Sequence, residues 1–222
     1  MPVDQNAALR ITAFEWEPRF ARGFVRDLRP RWACEELGLA YATRLISATE
    51  RPDWYFREQP WGQVPVLEDD ALTLFESGAI LLHLGERDTR LLPRDREGRA
   101  RVLCWLFAAF NSIEPVFMEI ANVEIFCQGE PWAVLRRPGL LAEAGQRLDR
   151  LEAALDDRDW LAGGFSIADI AMVTVLREVG DTGLLDHRPA LAAYLQRGIA
   201  RPAFAAALHA QLTDFQAEPT AA

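Results

Sequence analysis

The fold of this chain is decided by residues 62–78, which read GQVPVLEDDALTLFESG. The segment predicts two short strands joined at Asp69 and Asp70, because apolar runs flank this acidic pair. Pro65 opens the first strand, where its missing N–H need not join the sheet. Ser77, a residue favoured at helix N-termini, closes the segment. The order is therefore a strand pair followed by a helix that begins with an acidic residue and a serine.

The neighbouring sequence extends this pattern on both sides. Residues 9–14 and 41–46 are strand candidates, and the helical segment 31–37 between them is followed by Gly38, a typical C-terminal stop. A further helix is predicted from Ser77 to about Glu86. The first part of the chain is therefore β-α-β followed by β-β-α.

The second half of the chain changes character. Residues 87–97 are charged, contain Pro93 and are predicted to form a linker. After them the apolar residues follow only helical periods, and no internal repeat is found. The predicted helices are 99–126 with a bend near Pro115, 132–156, 166–178, and 189–215 with a break near Arg201 and Pro202.

The combination of the 62–78 segment with these elements resembles the glutathione transferase family, and the resemblance covers nearly the whole chain. It implies an α/β thioredoxin-like domain over residues 1–90 and an all-α domain over residues 98–222. It also implies a cytoplasmic homodimer with glutathione as co-substrate. In the family a Ser-x-x-Asp motif opens a buried helix of the second domain. Ser166 and Asp169 match it, and we assign them to folding through a capping box.

The resemblance also implies which residues bind glutathione. A helix N-terminus suits a carboxylate, because its N–H groups are unpaired and carry a partial positive charge. Ser77 would bind the γ-glutamyl carboxylate and Glu76 the γ-glutamyl amine. Val64 would pair its backbone with the cysteinyl unit, as one strand adds to another. Gln63 completes the motif, and the Val64–Pro65 bond is expected to be cis.

The chain departs from the family where the thiol is activated. Catalytic members carry a Tyr, Ser or Cys just after the first strand, whereas residues 14–31 here contain none of these. Two helix registers remain open, one with Pro30 as the first helical residue and one with Pro30 as a kink.

The same segment is strongly basic. Its arginines are either a solvated surface or an anion site, in which a guanidinium would favour the thiolate by charge and hydrogen bonding. Arg26 and Arg29 are the leading candidates for thiol activation, followed by Arg22. Trp16 and Trp54 either line this site or have a packing role in the core or at the surface.

Composition excludes several other classes. The 222 residues carry a formal net charge of −9, which disfavours nucleic-acid binding. All 24 basic residues are Arg, so no lysine chemistry is available. No apolar run approaches the roughly 20 residues of a membrane span, and no secretory signal is visible at the N-terminus. No metal site is predicted from the His and Cys spacing.

The expected reaction is attack of glutathione thiolate on a small apolar electrophile. In the family that electrophile contacts the first long helix of the second domain, where Trp105, Phe107, Phe110 and Phe117 are candidates. Two alternatives remain open: a non-catalytic binding or regulatory module of the same fold, and a reductase that uses its own cysteine. Core packing is expected for the three cysteines, Cys34, Cys104 and Cys127.

Overall fold

The computed structural model describes residues 2–215, except for the side chain of Asp181. Residues 216–222 of the predicted helical domain, and Met1 of the predicted α/β domain, lie outside the described residues. Packing divides the chain into two compact units. The α/β unit contains the described residues up to Asp88 and from Ala200 onward, and the helical unit is residues 89–199.

The α/β unit is built around a four-stranded sheet in the order β2-β1-β3-β4. β1 and β2 are parallel, as a strand–helix–strand crossover requires, and the other neighbours are antiparallel. The elements are β1 (Leu9–Phe14), α1 (Leu28–Leu37), β2 (Tyr41–Ile46), a 3₁₀ turn (Asp53–Arg57), β3 (Val66–Asp69), β4 (Leu72–Phe75) and α2 (Ser77–Gly85). This confirms the predicted thioredoxin-like layout.

The turn of the β3–β4 hairpin is formed by Asp70 and Ala71, and Asp69 is the last residue of β3. Asp69 pairs with Leu72 across the strands, and Asp70 has a φ of 53°, the positive value that two-residue hairpin turns need. Asp69 accepts hydrogen bonds from His83 at 2.6 Å and from Arg87. Burial alone would raise the pKa of Asp69, but these two donors outweigh it and lower the pKa below its usual value. The hairpin turn is therefore tied to α2 and the residues after it.

The structure resolves the register of α1. The helix begins at Leu28 and ends before Gly38, which has a φ of 66°. Pro30 lies in its first turn, where a missing N–H costs nothing, so the helix is not kinked. Residues 19–27 form consecutive turns.

The helical unit contains only helices and turns within residues 89–199, and this confirms the predicted all-α character. Its elements are α3 (Arg96–Ala108), a π-helical turn (Ala109–Ile113), α4 (Glu114–Ala121), a second π-helical turn (Asn122–Phe126), α5 (Pro131–Leu155), α6 (Ile167–Arg177) and α7 (Pro189–Ile199). A π-helical turn lies just before Pro115, and the bend predicted near this residue stays a prediction.

The boundary between the two units, at Asp88 and Thr89, lies within the predicted linker, but the central residues of this segment are buried. Leu91 and Leu92 are each only 2% exposed, and Ile167 N donates to the Leu91 carbonyl at 3.1 Å. Burial of these two leucine side chains stabilises the fold, because it removes their apolar surface from water. This stretch therefore packs at the beginning of α6.

One continuous helical run, Arg96–Phe126, is long and apolar enough to cross a membrane by length and composition. The sequence reading missed it because scattered polar residues interrupt the apolar run. It is weak evidence for a membrane span, because the core helix of a soluble protein passes the same test.

The last helix, α8 (Pro202–Asp214), packs against α1 in the α/β unit. Arg31 bridges Asp27 at 2.8 Å and Asp214 at 2.7 Å, and Gln211 donates to Asp27 at 2.7 Å. The ring of Phe204 meets Trp32 edge-on, with centroids 5.0 Å apart. The predicted domain boundaries, 1–90 and 98–222, stay a prediction about folding units. By packing, α8 belongs to the α/β unit.

Candidate glutathione site

The N-terminus of α2 presents a strained residue followed by a buried serine. Glu76 has a φ of 69°, a region that residues other than glycine rarely adopt. It holds the position before the helix and its carbonyl accepts from Ile80 N at 3.0 Å, so Ser77 is the first helical residue rather than the predicted cap. The first N–H groups of a helix have no partner inside it, so this end can accept an anion.

Ser77 is in contact with one of the predicted catalytic arginines. Arg29 is 2% exposed, and its Nη1 donates to Ser77 Oγ at 3.0 Å. A guanidinium, a hydroxyl and a helix N-terminus therefore meet at one point. Together they are suited to a carboxylate.

Val64 presents an open backbone edge. The Val64–Pro65 peptide bond is cis, which confirms that expectation. Val64 precedes β3, and within the described part of the chain its N–H and C=O have no hydrogen-bond partner. Its side chain packs in a cluster with Phe14 and Tyr55, and Val25 contacts the same cluster. An extended peptide can therefore add beside Val64 as a strand would.

The loop before Val64 is held by two side chains. Tyr55 Oη donates to the carbonyl of Gln63 at 2.7 Å, so the exposed Gln63 has a fixed backbone. Arg51 donates to the carbonyls of Gly62 and Ala48. A positive charge thus lies beside the residues that precede Val64.

The other predicted arginines lie in the turns after β1. Arg22 Nε donates to the carbonyl of Glu17 at 2.9 Å, and Arg26 is half-buried. Arg22 Nη2 and the Nε1 of Trp16 are both buried without an acceptor among the described residues. Burial raises the pKa of Glu17, and the nearby Arg51 offsets part of this rise. The loop therefore holds two buried donors that lack an acceptor.

The remaining candidates fall elsewhere. Trp54 packs against the core cluster and under the Arg44 guanidinium, 4.8 Å from the ring centre. Cys34 is fully buried, and burial raises the pKa of its thiol to about 12, which makes it unreactive. Cys104 is exposed, so core packing is wrong for it: it falls on the outer face of α3. Among residues 2–215, no cluster of His, Cys, Asp or Glu is placed to hold a metal.

The aromatic residues expected near an electrophile are spread around their helix. Phe117 is 1% exposed and belongs to the core, whereas Phe107 is 56% exposed. Phe110 is half-buried, and Trp105 lines a cavity within the helical unit. Helical spacing alone therefore did not identify a common face.

Sequence reasoning missed Arg51 and the contact between Arg29 and Ser77. A ligand with two carboxylates needs two positive sites, and this requirement alone could have directed attention to Arg51 in the loop after β2. The contact between Arg29 and Ser77 joins residues 48 positions apart, so no local sequence pattern predicts it.

Comparisons with known proteins find matches to one family over both units. The family model described as "Glutathione S-transferase, N-terminal domain" matches residues 21–86, and "Glutathione S-transferase, C-terminal domain" matches residues 139–202. Glutathione S-transferase 4 of Zea mays is 33% identical over 77% of this chain and 82% of its own length. Glutathione S-transferase F14 of Arabidopsis thaliana is 32% identical over 65% of this chain and 62% of its own length.

A solved structure extends the match to the whole fold. The glutathione transferase of Pseudomonas putida, crystallised with one glutathione disulfide per subunit, superposes with a TM-score of 0.79. It is 26% identical and the match covers 90% of both chains. Two family models, two relatives and a shared fold therefore agree, and the chain belongs to the glutathione S-transferase family.

Proposed function

We propose that this protein binds glutathione in its α/β unit and transfers the glutathione thiolate to a small apolar electrophile. The observation that carries the proposal is the contact of buried Arg29 with Ser77 at the N-terminus of α2. A buried cation beside a helix N-terminus is a site for a carboxylate, and glutathione offers one at its γ-glutamyl end. The glutathione disulfide bound to the Pseudomonas putida relative supports the choice of ligand.

Four groups of the tripeptide are placed in this proposal. Its γ-glutamyl carboxylate meets Ser77 and Arg29, and Glu76 accepts from its amine. Its cysteinyl unit pairs with the free backbone groups of Val64. Its glycyl carboxylate is assigned to Arg51, which donates to the carbonyl of Gly62, two residues before Val64.

The contact with Ser77 favours a binding role for Arg29 over the predicted role in thiol activation. Arg22 and Arg26 then remain as candidates for activation. The unpartnered Nη2 of Arg22 favours Arg22, because a thiolate is the acceptor that this buried donor lacks. Trp16 Nε1 is a second donor in the same loop. A guanidinium near the sulfur lowers the thiol pKa by stabilising the charged form.

The alternative function is a binding or regulatory module that holds glutathione without activating it. The absence of a Tyr, Ser or Cys in residues 14–31 favours this alternative. The two functions differ in one measurable quantity, the thiol pKa of bound glutathione. We further propose a cytoplasmic homodimer, as the family resemblance implies.

The test is to titrate glutathione into the protein by calorimetry and then follow the ultraviolet absorbance of its thiolate in the complex. We expect binding, and a bound thiol pKa at least one unit below that of free glutathione. Arg22→Gln should return the pKa toward the free value, and it should slow conjugation of an aryl halide at neutral pH with little loss of glutathione affinity. A slower reaction with nearly unchanged glutathione affinity is expected when the removed interaction acts on the reacting sulfur and contributes little to binding.

Arg10→Gln is the matched control, because Arg10 lies on β1 of the same unit and is largely exposed. It should change neither the pKa nor the rate. Bound glutathione that titrates like free glutathione would establish the binding module instead. Absence of glutathione binding would contradict both functions.

A further inference from the structure

The last turn of α8 holds the loop between β1 and α1, which carries Arg22. Gln211 is 1% exposed, and its Nε2 donates to the Val25 carbonyl at 3.0 Å and to Asp27 Oδ1 at 2.7 Å. The Val25 carbonyl also accepts from Leu28 N at 3.1 Å, at the beginning of α1. One buried side chain of α8 therefore fixes the end of the loop.

The end of α8 is itself anchored to α1. Asp214 is the last residue of the helix, and it accepts a hydrogen bond at 2.7 Å from Nη2 of the fully buried Arg31. Phe215 follows directly, with an extended backbone and a half-buried side chain. Because an ion pair holds the preceding residue, the ring of Phe215 starts from a fixed point.

The ring of Phe215 lies against the guanidinium of Arg22. Arg22 Cζ is 5.6 Å from the ring centre, within the roughly 6 Å over which an aromatic face attracts a cation. On its other contacts, Arg22 Nε donates to the Glu17 carbonyl at 2.9 Å, and Nη2 is buried with no acceptor in residues 2–215. The guanidinium is therefore held by a carbonyl and a ring, and one donor is left to bind.

A phenyl ring holds an arginine differently from a carboxylate. A carboxylate beside Arg22 would accept its N–H groups and cancel its charge, so the arginine would stabilise a thiolate far less. The ring has no net charge and attracts the cation through its quadrupole. Arg22 therefore keeps its positive charge while its position is restricted.

We propose that Phe215 is a positioning residue, whose ring holds the Arg22 guanidinium so that Nη2 donates to the sulfur of bound glutathione. Gln211 and Asp214 act with it, because they fix the end of α8 to the loop and to α1. This inference rests on the proposed function of Arg22. It extends the thiol-activating site to the C-terminal end of α8, which belongs to the same α/β unit.

The test is a double-mutant cycle on the thiol pKa of bound glutathione, followed by ultraviolet absorbance in the wild type, Phe215→Leu, Arg22→Gln and the double variant. Phe215→Leu keeps an apolar side chain but removes the ring, and it should raise the thiol pKa by at least half a unit. In the Arg22→Gln background the same change should have no measurable effect, because a positioning residue acts only through the group that it positions. Phe215→Tyr keeps the ring and should retain the wild-type pKa.

Affinity for S-methylglutathione, which has no thiol proton, separates positioning from a general loss of structure. Phe215→Leu should change this affinity less than twofold, and thermal unfolding should show that the variant is folded. Leu212→Ala is the control, since it removes a side chain that is 45% exposed from the same turn of α8. It should leave the thiol pKa unchanged.

Two outcomes would overturn the proposal while the proposed function stands. One is a Phe215→Leu protein with the wild-type thiol pKa, and the other is an equal shift from Phe215→Leu in both backgrounds. Failure of the proposed function is recognised without any Phe215 variant. Bound glutathione that titrates like free glutathione in the wild type, or an unchanged thiol pKa in Arg22→Gln alone, would contradict the role of Arg22 and this proposal with it.

Discussion

At the scale of single residues, the contact between Arg29 and Ser77 matters most for the proposed glutathione binding. Both side chains are buried, and their contact puts a positive charge at the beginning of a helix. A carboxylate bound there would meet the Arg29 charge, the Ser77 hydroxyl and the first N–H groups of α2.

Removal of the Ser77 hydroxyl should weaken glutathione binding. We expect Ser77→Ala and Arg29→Gln each to cost about 1–3 kcal/mol, the usual value of a charge-assisted hydrogen bond. The double variant should lose less than the sum, because the two side chains share one interaction. Neither change should move the thiol pKa of glutathione that still binds.

Calorimetry of the four proteins measures this cycle, and thermal unfolding shows that each variant is folded. Thr73→Ala is the control, since it removes an exposed hydroxyl from β4 of the same unit. Unchanged affinity in both single variants would contradict the site. A shifted thiol pKa in Arg29→Gln would return Arg29 to thiol activation.

At the scale of elements, the beginning of α6 depends on one carboxylate. Asp169 is fully buried and accepts hydrogen bonds from Ser166 N at 2.9 Å, Leu161 N at 3.1 Å and Tyr194 Oη at 2.9 Å. The predicted capping box is confirmed, and Asp169 also joins α6 to α7. Burial raises the pKa of Asp169, and these donors oppose that rise.

Asp169→Asn should lower the free energy of unfolding by about 2–4 kcal/mol, because it removes a buried, charged acceptor from several donors. Ser166→Ala should cost only about 1 kcal/mol, the typical value of a lost cap. Urea unfolding measures both. Asp157→Asn, at an exposed position of the same unit, should stay within about 0.5 kcal/mol of the wild type. An Asp169→Asn protein as stable as the wild type would show that the network does not stabilise the unit.

At the scale of the whole molecule, the α/β unit exposes large aromatic side chains. Trp61 is 68% exposed and Phe56 is 45% exposed, and Phe56 lies against Gly62, next to Trp61 in the chain. Adjacent exposed aromatic groups are typical of interaction surfaces. This supports the proposed homodimer.

Sedimentation at micromolar concentration should give twice the 25.0 kDa mass of the chain. Trp61→Glu should shift the distribution to the single-chain mass, because a carboxylate replaces an aromatic group at the interface. Leu135→Glu introduces the same charge at an 83% exposed residue of the helical unit and should leave the mass unchanged. A wild-type protein that sediments as a single chain would contradict the proposed dimer.

The sequence by itself determined the order and type of the elements. β1, β2 and the hairpin follow from apolar alternation. Helix ends follow from Gly38, Ser166 and the Arg201–Pro202 break. These signals are local, because periodicity, capping and proline geometry act within a few residues of the chain. The cis bond and the glutathione motif followed from a family resemblance carried by one short segment.

Only the tertiary structure decided which distant residues meet. It brought Arg29 to Ser77, set Arg51 beside the residues that precede Val64, and packed α8 against α1. It also gathered Trp105 and Arg150 around one cavity. The sequence does not distinguish one arginine from another, because the role of each depends on the residues that the fold places next to it. The physical reason is that burial and pairing, rather than residue type, set the energy of a charge.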